Sequence, residues 1–291
     1  MKRAIALILI LALMLPVMAA SATDSLNVRV VVGADLTDEQ INQVYASFGR
    51  TRGSVTELIM TNEMEHGYLD GSVDASVIGT RSVSCVYVEK RAAGTGLEVS
   101  TTKNITYFTP EMYISVLTTA GITDARIIID APFEVSGTGA LAGIYYAYEN
   151  LTGKTLGELQ TAASSQELTV TGDLASAIGS ADAEDIVSDV KDVLGQTADM
   201  TDEELKSFLQ AICTQYNVSL SDEQINELIS LCRSLESLDE AGLLEKVTEM
   251  QGTIGKVSDA ATGIMGFFRA VKNVISAISD FFTKIKTVFG K

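Results

Sequence analysis

The chain is poor in histidine, with a single copy, His66, among its 291 residues. A Ser-His-Asp triad, or a zinc site built from several histidines, is therefore hard to assemble. His66 lies near the end of a predicted short helix, where a surface or helix C-terminal position explains it without chemistry. No other combination of acid, base and nucleophile is recognisable, so we assign no catalytic, cofactor-binding or metal-binding residue.

Positive charge is also scarce, because 21 Lys and Arg stand against 38 Asp and Glu and give a net charge of -17. Such a balance argues against a nucleic-acid-binding protein, which needs cations to neutralise phosphates. The charge is unevenly distributed, since residues 256–291 carry +4 and the first residues carry +2, which leaves -23 between them. Only the C-terminal segment is therefore suited to an anionic surface.

Cysteine occurs three times, at Cys85, Cys213 and Cys232, an odd number for an oxidising compartment. We predict that Cys213 and Cys232 lie on consecutive antiparallel helices, offset by about 10 Å along the axes. A disulfide needs Cα atoms within about 7 Å. Both residues also fall on apolar stripes, so we predict three free and buried thiols.

The N-terminus has the pattern of a secretory signal peptide over residues 1–22. Lys2 and Arg3 precede the uncharged apolar run 4–17, which is shorter than the about 20 residues that a membrane span needs. Small residues from Ala20 to Ala22 predict cleavage after Ala22, with Ala20 as the alternative site. An uncleaved membrane anchor is the other interpretation, and no cysteine near the cut offers a lipoprotein attachment. We expect a secreted protein.

Strand and helix patterns alternate over the first half of the chain and predict an α/β or α+β fold. The layered domain, 24–155, should contain a mixed sheet. A mainly helical domain, 156–255, should follow, although 167–171 has a strand-like pattern. The predicted strands are 27–33, 81–89, 97–108 and 126–130, and the predicted helices are 38–48, 110–120 and 139–150. The strands 81–89 and 97–108, separated by a glycine-containing turn, predict a hairpin.

Three similar motifs predict helix starts, at Thr37, Thr201 and Ser221. Each Ser or Thr is followed three residues later by Glu or Gln, as in a capping box. We interpret this as one solution to unsatisfied N–H groups rather than an internal repeat, because similarity beyond the motif is small.

The loop Ser136-Gly137-Thr138-Gly139 follows a predicted strand and opens a helix, so its N–H groups are a candidate anion or cofactor site. The spacing is not that of a dinucleotide fingerprint. In the simpler interpretation, Ser136 or Thr138 caps the helix, and the small residues permit close packing.

An acidic helix face follows further along the chain. Carboxylates in this number could collect Ca²⁺, but the ligand spacing and the central glycine of an EF-hand are absent. We therefore expect a solvated face. Its members are Asp182, Glu184, Asp185, Asp189 and Asp192.

The C-terminal segment, 256–291, predicts a basic amphipathic helix. Apolar residues from Ile264 to Phe289 recur at alternating steps of four and three, with Lys and Arg between them. This pattern is typical of a helix at a membrane surface, or of one packed on protein or in a homo-oligomer. The contact candidates are Phe267, Phe268, Phe281, Phe282, Phe289, Lys272, Lys284 and Lys286.

Five segments resemble the YpuA family, which comprises exported proteins of Gram-positive bacteria with a domain of unknown function. The segments are 62–69, 78–84, 104–106, 119–122 and 131–141. The likeness covers about residues 24–155 well and implies an extracytoplasmic, envelope-associated protein. It implies no catalytic residue and no activity.

Two function classes remain at this stage. The favoured one is a non-catalytic protein that binds the membrane surface, a wall polymer or another exported protein. The alternative is an extracytoplasmic hydrolase that uses Ser136 or paired carboxylates on an envelope component.

Overall fold

The computed structural model describes residues 26–238, which belong to one compact unit. The predicted signal peptide and the predicted basic helix, 256–291, lie outside these residues. Among the residues described, no helix is both long and apolar enough to cross a membrane.

A five-stranded mixed sheet forms the centre of the first half, with the strand order β2-β1-β3-β5-β4. Four strands run in the same direction, and only β3 is antiparallel to its neighbours. The predicted fold class, a mixed sheet followed by helices, is therefore confirmed. The strands are β1 Val28–Gly33, β2 Thr56–Met60, β3 Cys85–Lys90, β4 Glu98–Thr101 and β5 Ala125–Asp130.

The predicted hairpin between 81–89 and 97–108 is wrong. Strand β5 lies between β3 and β4, so that Arg126 pairs with Glu89 on one side and Glu98 on the other. A strand that is apolar on both faces favours two strand neighbours, and β3 takes β1 and β5. The second predicted strand is also shorter than expected, because Ile105 and Phe108 turn into the core instead.

Strand β2 was not predicted from the sequence. It occupies an edge of the sheet, where only Met60 of its five residues is buried. The exposed fraction of Ile59 is 58%. An edge strand of this kind lacks the alternating or continuous apolar pattern by which strands are recognised.

Helices cover both faces of the sheet. The bounds of those in the first half are α1 Asp38–Ser47, α2 Asn62–Leu69, α3 Ala75–Ile78, α4 Pro110–Thr119 and α5 Thr138–Thr152. Successive strand residues point to opposite faces, so Val30 packs with Tyr45 of α1. Val31 packs on the other side with Tyr113 of α4 and Tyr145 of α5.

In the second half, all the elements found among residues 156–238 are helices. Its elements are α6 Glu158–Ile178, α7 Ser180–Asp192, α8 Leu194–Thr197, α9 Asp202–Gln215 and α10 Asp222–Glu236. The strand indicated by the pattern at 167–171 is not formed, because these residues lie inside α6. There the hydroxyls of Thr169 and Thr171 donate to backbone carbonyls four residues earlier. Burial in the tertiary structure outweighs the β-propensity of these residues.

The local predictions for helix starts and cysteines are confirmed. Capping boxes with both hydrogen bonds begin α1 at Thr37, α9 at Thr201 and α10 at Ser221. Cys85, Cys213 and Cys232 are buried and free. Burial raises the pKa of both Cys85 and Cys232 to about 12, so these thiols are unreactive.

Candidate functional site at the carboxyl edge of the sheet

Four strands end at one edge of the sheet, which we call the carboxyl edge. The register places Gly33 beside Met60, and Asp130 beside Cys85 at the start of β3. Ligands of layered α/β proteins bind beyond the carboxyl ends of the strands. This edge is therefore the candidate site, and the loops that follow the strands provide its side chains.

Glu65 is the buried acid of the carboxyl edge. It lies in α2, which begins directly after β2, and only 2% of it is exposed. Ser82 Oγ donates to Oε1 over 2.7 Å, and Asn62 Nδ2 donates to Oε2 over 3.4 Å. Burial raises the pKa of the Glu65 carboxyl, and these two hydrogen bonds oppose the rise. The group acts here as a hydrogen-bonded acceptor within the fold.

The predicted ligand loop reaches the same edge. Ser136 is exposed, whereas Gly137 and Thr138 are buried at the start of α5. The N-cap residue is Gly137, which lacks a side-chain cap. Ser136 Oγ, one residue upstream, accepts from the Thr138 N–H over 3.4 Å. Capping is thus weaker than the simpler interpretation expected, and Ser136 is the part of the loop that faces solvent.

Close packing accounts for both glycines of this loop. Gly137 has φ 103°, and a Cβ there would lie 2.5 Å from Tyr113 Oη, which donates to the Gly137 carbonyl. A Cβ on Gly139 would lie 2.5 Å from Glu65 Oε1. The amino end of α5 therefore faces the side-chain carboxyl group of Glu65. A helix N-terminus is a favourable position for negative charge.

Asp35 connects two loops of the edge. Its Oδ2 accepts from the Ser82 N–H over 2.7 Å, and its own N–H donates to the Ser82 carbonyl over 3.1 Å. Asp35 is exposed, and a Cβ on Gly33 would lie 2.3 Å from the same Ser82 carbonyl oxygen. The loop after β1 and the segment before β3 are therefore in direct contact.

Asp130 lies at the end of β5 at the same edge. It is 4% exposed and accepts hydrogen bonds from the Ser47 and Thr102 hydroxyls. The Ala131 N–H also donates to it, over 2.8 Å. The carboxyl oxygens of Asp130, like those of Glu65, thus accept hydrogen bonds from other groups of the protein.

A buried ion pair in the helical half was missed by the sequence analysis. Lys191 Nζ lies 2.8 Å from Glu167 Oε1, and their side chains are 1% and 0% exposed. Ser115 and Thr119 of α4 accept from Lys191, each over 2.9 Å, and donate to Glu167. Lys191 follows Val187 by four residues and so lies on the apolar stripe of α7, which is the signal that could have identified it.

The acidic face of α7 is less solvated than we expected. Glu184 accepts from Thr109 Oγ1 over 2.6 Å, and Asp189 accepts from Tyr216 Oη over 2.7 Å. Burial raises the pKa of Asp189 to about 6, although the bond from Tyr216 opposes this. Among residues 26–238, no group of three His, Cys, Asp or Glu is placed to hold a metal ion.

A groove of about 660 Å³ lies on α10, and the residues of the predicted ligand loop are not among those that line it. Arg233, the only cation among the described residues that line it, binds Asp202, Glu236 and the carbonyls of Thr197 and Met200. The two charged residues of the groove lining, Arg233 and Asp202, are thus paired with each other. The lining residues are Asp202, Asn226, Ile229, Ser230, Arg233, Ser234 and Ser237.

Three of the five segments that resemble the YpuA family meet at the carboxyl edge, namely 62–69, 78–84 and 131–141. Together they contain Glu65, Ser82 and the 136–139 loop. The predicted membrane or partner contacts, Phe267 to Phe289, lie outside the residues described.

These features define an α/β-sheet protein with an appended helical region and an internally hydrogen-bonded carboxyl edge. The chain belongs to the family described as protein of unknown function, DUF1002, whose model matches residues 32–251. It is 30% identical over 279 residues to the uncharacterized protein YpuA of Bacillus subtilis (strain 168), covering 95% of this chain and 93% of that protein. No solved structure matches the chain.

Proposed function

We propose that this is an exported, envelope-associated protein that acts by binding rather than by catalysis. The observation that supports this is the state of the acids at the carboxyl edge. Glu65 and Asp130 both accept hydrogen bonds from hydroxyls of the chain itself. A catalytic acid or base must instead reach the proton that it transfers. These groups hold the loops of the carboxyl edge together instead.

The C-terminal segment provides the envelope contact in this proposal. Its +4 balance favours anionic lipid, and its apolar stripe would bury area at about 25 cal/mol per Å². The remainder of the mature chain, at -23, is repelled by the same surface. The segment would therefore be the only part of the protein that docks. Helix–helix contact, with another exported protein or a second copy, is the other possible use of the same stripe.

Vesicle co-sedimentation tests this proposal on the chain that begins at Thr23. We expect binding to vesicles containing phosphatidylglycerol, weaker binding at high salt and little binding to pure phosphatidylcholine. Phe281→Glu with Phe282→Glu should abolish binding. Ser276→Glu with Thr283→Glu adds the same charge away from the apolar stripe and should retain most of it. Equal behaviour of the two variants, or no binding by the parent chain, would contradict the membrane contact.

A hydrolase acting on an envelope component is the second candidate. The observations that favour it are the exposed Ser136 hydroxyl and the raised pKa of Glu65, which helps a carboxyl group to keep a proton. Release of soluble fragments from purified wall material, lost in Ser136→Ala or Glu65→Gln, would support this function. No release by the parent chain would leave binding as the function.

A further inference from the structure

The imidazole of His66 bridges two groups that can only accept hydrogen bonds. Nδ1 lies 2.7 Å from Asp70 Oδ1, and Nε2 lies 3.2 Å from the Gly79 carbonyl oxygen. A neutral imidazole carries one N–H, whereas the imidazolium carries two. Only the protonated ring can therefore donate to both acceptors. Loss of the proton leaves a ring lone pair facing one of them.

The surroundings of the ring favour the same charge state. The hydrogen bond to Asp70 is the largest influence that raises the pKa of His66, followed by the bond to Gly79 and by the charges of Asp70 and Glu65. Desolvation opposes them, although 27% of the side chain remains exposed. Within residues 26–238, the charged groups that influence the ring, Asp70 and Glu65, are both acidic.

Gly79 connects the imidazole of His66 to the hydrogen bonds of the candidate site. Its carbonyl also accepts from Asn62 Nδ2 over 3.2 Å, and Asn62 donates in turn to Glu65. Three residues later, Ser82 donates to Glu65 and contacts Asp35. The hydrogen bond from His66 to Gly79 therefore helps to hold the 79–82 segment, which contacts Glu65 and Asp35 at the carboxyl edge.

We propose that His66 is a proton-dependent clamp, which fixes the Gly79–Ser82 segment when protonated and loosens it when neutral. The sign follows from the contacts. Because the folded structure favours the protonated ring, the clamp contributes fully below the ordinary pKa of histidine and is lost as the pH rises through the higher folded pKa. The inference goes beyond the proposed function and does not depend on any ligand.

Nuclear magnetic resonance of the full chain from Thr23, without a histidine tag, tests the clamp directly. His66 is then the only imidazole in the spectrum. We expect a midpoint above about 6.5, with both ring nitrogens protonated below it. Protection of the Gly79 and Ser82 amides, corrected for intrinsic exchange, should fall about fivefold across the same midpoint, the factor that one ordinary hydrogen bond supplies.

Asp70→Asn should move both the ring midpoint and the amide transition to lower pH, because it removes the charge that stabilises the imidazolium. Asp74→Asn is the matched control, since Asp74 is exposed and gives α3 no side-chain cap. It should change neither midpoint. A ring midpoint at or below 6.5, or amide protection that does not follow the ring, would overturn the proposal.

Discussion

The two halves of the chain stabilise their buried acids differently. In the α/β half, residues 26–155, Glu65 and Asp130 receive hydrogen bonds from hydroxyl and amide groups. In the helical half, residues 156–238, Glu167 is paired with the buried cation of Lys191. Neutral donors stabilise a buried carboxylate without any counter-charge, whereas each member of a buried ion pair depends on the other for its stability. The difference predicts that removing a single partner costs most in the helical half.

Breaking the ion pair should have the largest effect on stability. Lys191→Met leaves Glu167 buried and without its counter-charge, which destabilises by about 3–5 kcal/mol. Chemical denaturation at neutral pH measures this. The double variant Lys191→Met with Glu167→Met should recover much of the loss, because replacing both partners by apolar groups is often close to neutral. A double variant as unstable as the single one would show that the pair contributes through packing rather than charge.

Gly139→Ala tests the contact between α5 and Glu65 in the other half. Its Cβ would lie 2.5 Å from Glu65 Oε1 and push the carboxyl group away from Ser82. We expect a loss of about 1–3 kcal/mol in the free energy of unfolding. Gly67→Ala in α2 is the matched control, because no atom lies within 4 Å of its Cβ, and it should stabilise slightly. A neutral Gly139→Ala would show that Glu65 can move without consequence.

The sequence predicts well the features whose cause lies within a few residues. The capping boxes at Thr37, Thr201 and Ser221 are formed by side chains three residues apart, so the local sequence contains the whole interaction. Sheet order depends on partners far along the chain. Strands β3 and β4 are close in sequence, and yet β5 separates them, because pairing depends on burial rather than on proximity.

The polar contacts of the candidate site show the same limit. The loop at 136–139 was recognisable from its glycines, but the residue that requires Gly139 to be small is Glu65, which lies far along the chain. The pairing of Lys191 with Glu167 likewise joins two helices. A charged residue on an apolar stripe indicates that it is buried, but it does not identify its partner.

The smallest expected effect is that of the helix N-caps, which should contribute about the same free energy of unfolding in the two halves. Thr37→Ala at α1 and Ser221→Ala at α10 each remove an acceptor for the N–H three residues later, and each should destabilise by about 1 kcal/mol. Ser219→Ala is the control, since Ser219 is exposed and lies outside the helix, and it should be silent. Equal losses in denaturation experiments would mean that the halves unfold together. A loss for Thr37→Ala alone would mean that α10 separates before the sheet unfolds, because a cap on an element that has already unfolded cannot affect the main transition.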